Sequence, residues 1–429
     1  MDPPRGVTRR TFLRASAGTT WVVASGAAFP AVRAKIASAG EERSRALPVR
    51  DAYSVDPSIT YLNHASIGTI PVAVREALVA NITTQETNPW LYQWGPAWAD
   101  AVDASHTAAA GFLGVGADDI AINHNTTEAF STLAHGLHLE PGDEVLFSSL
   151  NHIGASATWR AVARRRGFTV RSFEFPIADA VQMTSVEILE LHARQIRDST
   201  RVLVFPHVDN MIGLRHPVAE IARAARDRGV EFVAVDGAQA TGTLPVEVGA
   251  MGVDVYATSA HKGIQAPKGI GLLAVSRTAR ERIDPAIVTW GQARWADSAR
   301  KFTDYGTRNL PALLALHDCF RFQDAIGRER LERHLRSLRR RLRDRVDAEH
   351  RLTWRSPRSW DGGAALALIG VGKDDTGAVA DALFRQHGIV VRPFAAGPAT
   401  GLRVSFHAMN SAQDIDRFIE KVVPLIDTI

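Results

Sequence analysis

The sequence predicts an α/β fold, on three observations. From Asp51 to Pro285, short apolar runs alternate with segments of helical periodicity, the pattern of strands and helices stacked in layers. The connections are long enough for parallel crossovers. Beyond Pro311 the pattern changes to a second, smaller α+β unit. A chain of 429 residues, 45% hydrophobic and 22% charged, suits such a two-part globular arrangement and excludes a fibrous or wholly disordered one.

In chain order, strands are predicted at Ile120–Asn123, Glu144–Ser148, Val170–Phe175, Val202–Phe205, Phe232–Asp236, Val255–Thr258 and Gly271–Val275. Helices are predicted at Thr126–His138, Ala155–Arg166, Val186–Asp198 and Pro217–Arg228. Further on, Leu331, Leu335, Leu338 and Leu342 recur at helical spacing among arginines. The C-terminal part reads as strand Ala364–Ile369, helix Thr376–His387, strands Val390–Pro393 and Leu402–Phe406, and helix Ala412–Ile426. The expected division is a leader over 1–34, a connecting segment over 35–60, a large domain over 61–310 and a small domain over 311–429.

The charge balance bears on partners. Fifty Lys and Arg face 46 Asp and Glu, and the whole excess lies in residues 1–34, where five arginines accompany one acid, Asp2. The remainder is neutral, so the basic balance is no evidence for a nucleic-acid partner. Thr8-Arg9-Arg10-Thr11-Phe12-Leu13, followed by an uncharged stretch from Ala15 to Ala31 and a small residue at Ala34, resembles a twin-arginine export signal. It implies passage through the twin-arginine translocase and a periplasmic or secreted location. Its apolar part is too short and weak for a stable membrane anchor. The arginines of Arg328–Arg345 alternate with Glu329, Glu332 and Asp344 and lack interleaved aromatics, which fits an ion-paired helix better than a nucleic-acid surface. The single cysteine, Cys319, excludes an intramolecular disulfide and a cysteine-based metal cluster, and no metal site is expected.

Candidate chemistry gathers at the C-terminal ends of predicted strands, where open parallel sheets present their ligand crevice. Asp236, in Val235-Asp236-Gly237-Ala238-Gln239, is aimed there as a metal ligand, a ribose contact or the partner of a protonated ring nitrogen. Ser259-Ala260-His261-Lys262 follows the next strand. Only six lysines stand beside 44 arginines, so a lysine kept at such a place is a candidate amine nucleophile, which a guanidinium cannot be. Asn125-Thr126-Thr127 at a strand-to-helix turn offers amides and hydroxyls to an anion, or simply caps the helix. Arg403, mid-strand among apolar neighbours, is costly unless it meets an anion.

Asp236-Gly237-Ala238-Gln239 with Ser259-Ala260-His261-Lys262 resembles the core of the class V aminotransferases, pyridoxal-phosphate enzymes of fold type I. Tyr61-Leu62-Asn63-His64-Ala65-Ser66-Ile67-Gly68 and Gly306-Thr307-Arg308-Asn309 are most similar to the isopenicillin N epimerase-like branch. The resemblance implies a mainly parallel seven-stranded sheet between helices, a smaller C-terminal domain, and pyridoxal 5'-phosphate as cofactor. It assigns the catalytic, cofactor-holding Schiff-base lysine to Lys262, the ring-nitrogen partner to Asp236, and the ring-oxygen donor to Gln239. Asn210 falls near the ring, and His152 stacks on it or caps the following helix. Thr126, Thr127, Ser259 and His261 surround the phosphate. Thr307 reaches the phosphate of a second subunit, implying a homodimer, and Arg403 clamps the substrate carboxylate. Trp90, Tyr92, Trp94 and Trp98 line either a substrate mouth or a subunit interface.

Cysteine desulfurases of this class need a nucleophilic cysteine on a mobile loop, whereas Cys319 lies in a helix-like apolar run. The expected function is an exported enzyme that acts on an amino-acid group of a peptide or siderophore precursor, by transamination or related chemistry at Cα. The analogy is to exported pyridoxal-phosphate enzymes that tailor pyoverdine-type precursors. The alternatives are an amino-acid epimerase, a C–S lyase, or a cofactor-binding protein without catalysis.

Overall fold

The computed structural model describes Leu47, residues 49–289 and 291–429, and Pro30. Apart from Pro30, the predicted leader lies outside the described residues. The large sheet contains β1 (Ile120–Asn123), β2 (Glu144–Ser148), β3 (Thr169–Phe173), β4 (Thr200–Pro206), β5 (Phe232–Asp236), β6 (Val255–Ser259) and β7 (Gly271–Val275). Their order is β1-β7-β6-β5-β4-β2-β3. Only β7 runs against its neighbours, so the sheet is mainly parallel, as predicted.

The strands read as continuous apolar runs because both sheet faces are covered. Successive side chains point to opposite faces. Leu203, Phe205, Val233 and Val235 therefore join one core, while Val202, Val204, Phe232 and Ala234 join the other. The second core is closed by α3 (Thr126–Gly136) and α4 (Ile153–Arg166), through Phe130 and Trp159. The first takes up α1 (Val72–Thr87), α2 (Ala99–Leu113), α5 (Ser185–Gln195), α6 (Val218–Arg226) and α7 (Leu310–Ile326), of which α7 packs on α1 and α2.

α8 (Arg328–Asp347) buries Leu331, Leu335, Leu338 and Leu342, the row its sequence spacing predicts. Two of its outward arginines are paired, Arg333 with Glu329 and Arg341 with Asp416. Arg339 is buried instead, donating to Ser359 O (3.0 Å) and Pro357 O (2.5 Å) with its guanidinium over the Trp354 ring. The small antiparallel sheet has the order β10 (Arg392–Phe394), β11 (Gly401–Ser405), β9 (Leu366–Gly370), β8 (Thr353–Trp354). α9 (Thr376–His387) and α10 (Ala412–Thr428) complete this part. No helix among the described residues is long and apolar enough to cross a membrane.

Several predicted strands differ in extent by a residue or two, and two of the differences have a local cause. Val390–Pro393 is split: Ile389–Val390 pairs in parallel with Thr60–Tyr61, and the chain then changes partner to form β10. Pro393 has no N–H to donate, and it is accommodated because β10 is an edge strand. The strand predicted over Val170–Phe175 ends at Phe173. Phe175 turns away, its N–H donating to Ser149 Oγ (2.9 Å), and packs against His192 and His216.

Those two imidazoles lie 5.3 Å apart among Phe173, Phe175 and Phe205, buried and with no hydrogen-bond partner on any ring nitrogen. Burial holds both in the neutral form, His192 down to about 3. An unfolded chain protonates them below about pH 6.5, so stability falls as pH drops through the ordinary histidine range toward 3. Urea unfolding should show His192→Leu losing less stability between pH 7 and pH 5 than the unsubstituted chain, by about 1–2 kcal/mol. Identical pH dependence would contradict this.

Candidate active site

β6 ends at Ser259 and the chain turns tightly through His261 and Lys262. Lys262 N donates to Ser259 O (3.2 Å) and Gln265 N to Lys262 O (3.1 Å). Gln265 has a φ of 62°, the only non-glycine positive φ among the described residues, and its Oε1 accepts from Tyr53 OH at 2.8 Å. The segment from Tyr61 to Gly68 closes over this turn, with Gly68 N donating to His261 O (2.8 Å). A Cβ on Gly68 would stand 2.4 Å from Lys262 O and 2.7 Å from His261 O, so the approach demands glycine. Burial depresses the Lys262 ammonium below the usual lysine range; Asp236 opposes this and Arg403 adds to it. The shift favours the unprotonated amine, the form able to attack a carbonyl.

Asp236 closes β5, its Oδ1 accepting from Ala238 N at 3.0 Å. The following residue must be glycine, because a Cβ on Gly237 would lie 2.0 Å from the Tyr256 ring. The Tyr256 hydroxyl hydrogen-bonds with His207 Nδ1 (2.9 Å), and His207 N donates to Asp236 O (2.8 Å), so the carboxylate stands on a packed aromatic floor. Gln239 donates from Nε2 to Ala65 O at 2.8 Å, tying the same turn to the Tyr61–Gly68 segment.

At the other end of the cleft, Asn125 caps α3 by accepting from Glu128 N (3.0 Å). Thr126 N donates to Ser259 Oγ (3.0 Å), and the two hydroxyls are 2.9 Å apart. Thr127 lies on the same wall. His261 is neutral, drawn down to about 4 chiefly by burial and then by Lys262 and Lys268, and its buried Nδ1 has no partner. Amides at a helix start, hydroxyls and an unpartnered imidazole nitrogen form a donor set for an anion. His152 caps α4, its Nδ1 accepting from Gly154 N (3.1 Å), and it also lines the cleft.

Arg403 is 2% exposed on β11. It donates to Asn210 O (2.6 Å), Ser66 Oγ (2.5 Å) and Asn63 Oδ1 (3.2 Å), while its Nε has no partner. These acceptors are neutral and the guanidinium has no ion pair among the described residues; burial and Arg392 reduce its pKa to about 10, opposed by the buried Asp209. The Asn210 loop is shaped by Asp209, which is fully buried and accepts from Met211 N (2.8 Å), Ile212 N (2.9 Å) and Leu214 N (2.5 Å).

Ten of the sequence-predicted site residues thus share one cleft of about 620 Å³. Thr307 does not line the cleft of its own chain and is exposed. Of the aromatic stretch, Trp98 is core, packed on Tyr92 at 5.0 Å; Trp90 and Trp94 are exposed, and none of the four reaches the cleft. Cys319 is buried in α7 with its thiol pushed well above the usual range by burial. Among the cleft or cleft-supporting residues that lacked a predicted role are Asn63, Ser66, Arg392 and Phe394. The first two fall within the distinctive Tyr61–Gly68 run; Arg392 falls in a predicted strand, where nothing local marks it.

The set fits pyridoxal phosphate. An anion-binding end with the unpartnered His261 Nδ1, a carboxylate at the opposite end and a desolvated lysine amine match its phosphate, ring nitrogen and aldehyde. Among the described residues no group of three His, Cys, Asp or Glu could hold a metal ion.

The sequence profile described as Aminotransferase class-V matches residues 60–418. Isopenicillin N epimerase of Amycolatopsis lactamdurans is 29% identical over 401 residues, 88% of this chain and 97% of that protein. A cysteine desulfurase of Haloferax volcanii is 26% identical over 391 residues, 85% of this chain and 88% of its own length. Among solved structures, the apo cysteine desulfurase of Thermococcus onnurineus NA1 shares the fold with a TM-score of 0.78 at 23% identity, covering 89% of this chain and 98% of that one.

Gly68→Ala should push the His261 and Lys262 carbonyls aside and weaken pyridoxal-phosphate binding about tenfold or more. Equilibrium dialysis measures the affinity, with the melting temperature of the cofactor-free chain read alongside. Unaltered affinity would show that the close approach does not hold the lysine in place.

Proposed function

This chain belongs to the class V aminotransferase family, the pyridoxal-phosphate enzymes, and from that premise we propose that it breaks a bond at the Cα of an amino-acid group, with Lys262 as its catalytic residue. The observation that carries the reading is the desolvated Lys262 amine held between Asp236 and the anion-binding end of the cleft. When bound, pyridoxal phosphate supplies an electron sink for that bond. Lys262 holds the cofactor through its amine and, once released, holds or delivers the α-proton at Nζ. Asp236 keeps the proton on the ring nitrogen, and Gln239 donates to the ring oxygen. His152, its tilt fixed by the cap on α4, would pack against the cofactor ring. Thr126, Thr127, Ser259 and His261 hold the phosphate, joined by Thr307 of a second copy in a homodimer. Arg403 fixes the substrate carboxylate and so the orientation of the reacting centre.

A thiol-relayed desulfuration is not supported. The chain's single cysteine is interior to α7, where its Sγ donates to Ala315 O (3.2 Å). Transamination and related Cα chemistry need no thiol. The twin-arginine pattern and the reading of the rest of the chain as charge-balanced add an exported location, with a peptide or siderophore precursor as substrate. Epimerisation is the second reading, favoured by 29% identity to isopenicillin N epimerase over nearly all of that protein.

The purified protein should show a visible cofactor absorbance band that Lys262→Ala removes. A chain that stays colourless with added cofactor would end this reading. A band that no amino acid or peptide perturbs would favour cofactor binding without catalysis. Reaction in deuterium oxide separates the two chemistries: a racemised, Cα-deuterated product supports epimerisation, and a keto product supports transamination. For export, replacing both Arg9 and Arg10 by Lys should leave the chain in the cytoplasmic fraction of a bacterial host, and unaltered export would contradict the leader reading.

A further inference from the structure

Resting on the proposed function, we infer that the cleft takes substrates with two anionic groups, and that Arg392 binds the second. Arg392 and Arg403 are directly paired across β10 and β11. Opposed residues of an antiparallel pair share a face, with Cβ atoms about 5 Å apart. Phe394, two residues along β10, lies on that face too. Both guanidiniums lie near its ring, Arg403 Cζ at 5.4 Å and Arg392 Cζ at 6.0 Å from the centroid. All three residues line the Lys262 cleft.

The charges of the cleft leave Arg392 without a partner. The single acid among the described residues lining the cleft is Asp236, which the ring nitrogen of the cofactor would take. The cofactor phosphate is met at the far end by Thr126, Ser259 and His261. One substrate carboxylate satisfies Arg403, whose Nε has no partner while its other nitrogens are held by neutral acceptors and no acid among the described residues pairs with it directly. Arg392 remains exposed, with no hydrogen bond or ion pair among the described residues. Two like charges on adjacent strands repel, and Arg392 helps to lower the Arg403 pKa. A pair of unneutralised guanidiniums on one face, bridged by an aromatic ring, is a receptor for a dianion whose carboxylates are joined by a short apolar chain. The occupant is thus an amino dicarboxylate, or a peptide-linked amino acid with a second carboxylate.

The test uses probes without an amine, so that it does not depend on turnover. Calorimetric titration of the holoenzyme with glutarate and with pentanoate compares a dianion with a monoanion of equal chain length. Glutarate should bind about tenfold tighter or more, the size of one charge-assisted contact. Arg392→Gln should remove that preference by weakening glutarate, with pentanoate affected less than about threefold, and Arg392→Lys should restore part of it. Equal affinity for the two acids, or a preference that survives Arg392→Gln, overturns the proposal. The proposed function fails separately, by absence of the Lys262-dependent absorbance band, whatever the carboxylates do.

Discussion

The site depends on backbone packed against backbone around Lys262. The carbonyls of His261 and Lys262 are pressed by Gly68, and the turn continues into the left-handed Gln265, which Tyr53 holds by its side chain. Such contacts admit no side chain and little freedom, so the backbone that carries Lys262 is fixed. The Tyr61–Gly68 segment is also bonded to the small sheet: Ser405 N donates to Leu62 O (2.8 Å) and Ala65 N to Ser405 Oγ (2.9 Å). One stretch of chain therefore sets the lysine, Gln239 and Arg403 relative to one another. Cofactor chemistry needs that fixity, because bond selection at Cα depends on orientation.

Electrostatics follows from this frame. Burial depresses Lys262 and His261, and Asp236 is the single acid among the cleft-lining residues. The cleft's lining carries more basic than acidic groups, which suits the proposed anions: a phosphate at the α3 end and carboxylates at the β10–β11 end. On the proposed function, opposite ends of one groove would receive cofactor phosphate and substrate carboxylate, with the Lys262 amine between them.

Much of this was legible in the chain. The central strands were visible because burial on both faces makes each a continuous apolar run, and β1, β2, β5 and β7 have their predicted limits. Asp236 and Lys262 were visible because a carboxylate ending a strand and a lysine in an arginine-rich protein are both locally unusual. Less legible were features set by contacts distant in sequence. Asn63 and Ser66 meet Arg403 across more than 330 positions, and the break between Val390 and Arg392 arises because the chain changes sheets. Phe175 looks like strand because it is apolar; what removes it is the His192–His216 pocket, assembled from separate elements. Of the aromatic cluster, composition could not separate the buried Trp98 from the exposed Trp90.

The central claim is that Lys262, and no other lysine, carries the cofactor. Reduction of the purified holoenzyme with borohydride, followed by peptide mass spectrometry, fixes and locates that bond. The account predicts a single pyridoxyl-phosphate adduct on Lys262 and none on Lys268, six residues away in the same glycine-rich segment. An adduct on Lys268, or a cofactor that is present yet never reduced onto Lys262, would contradict it.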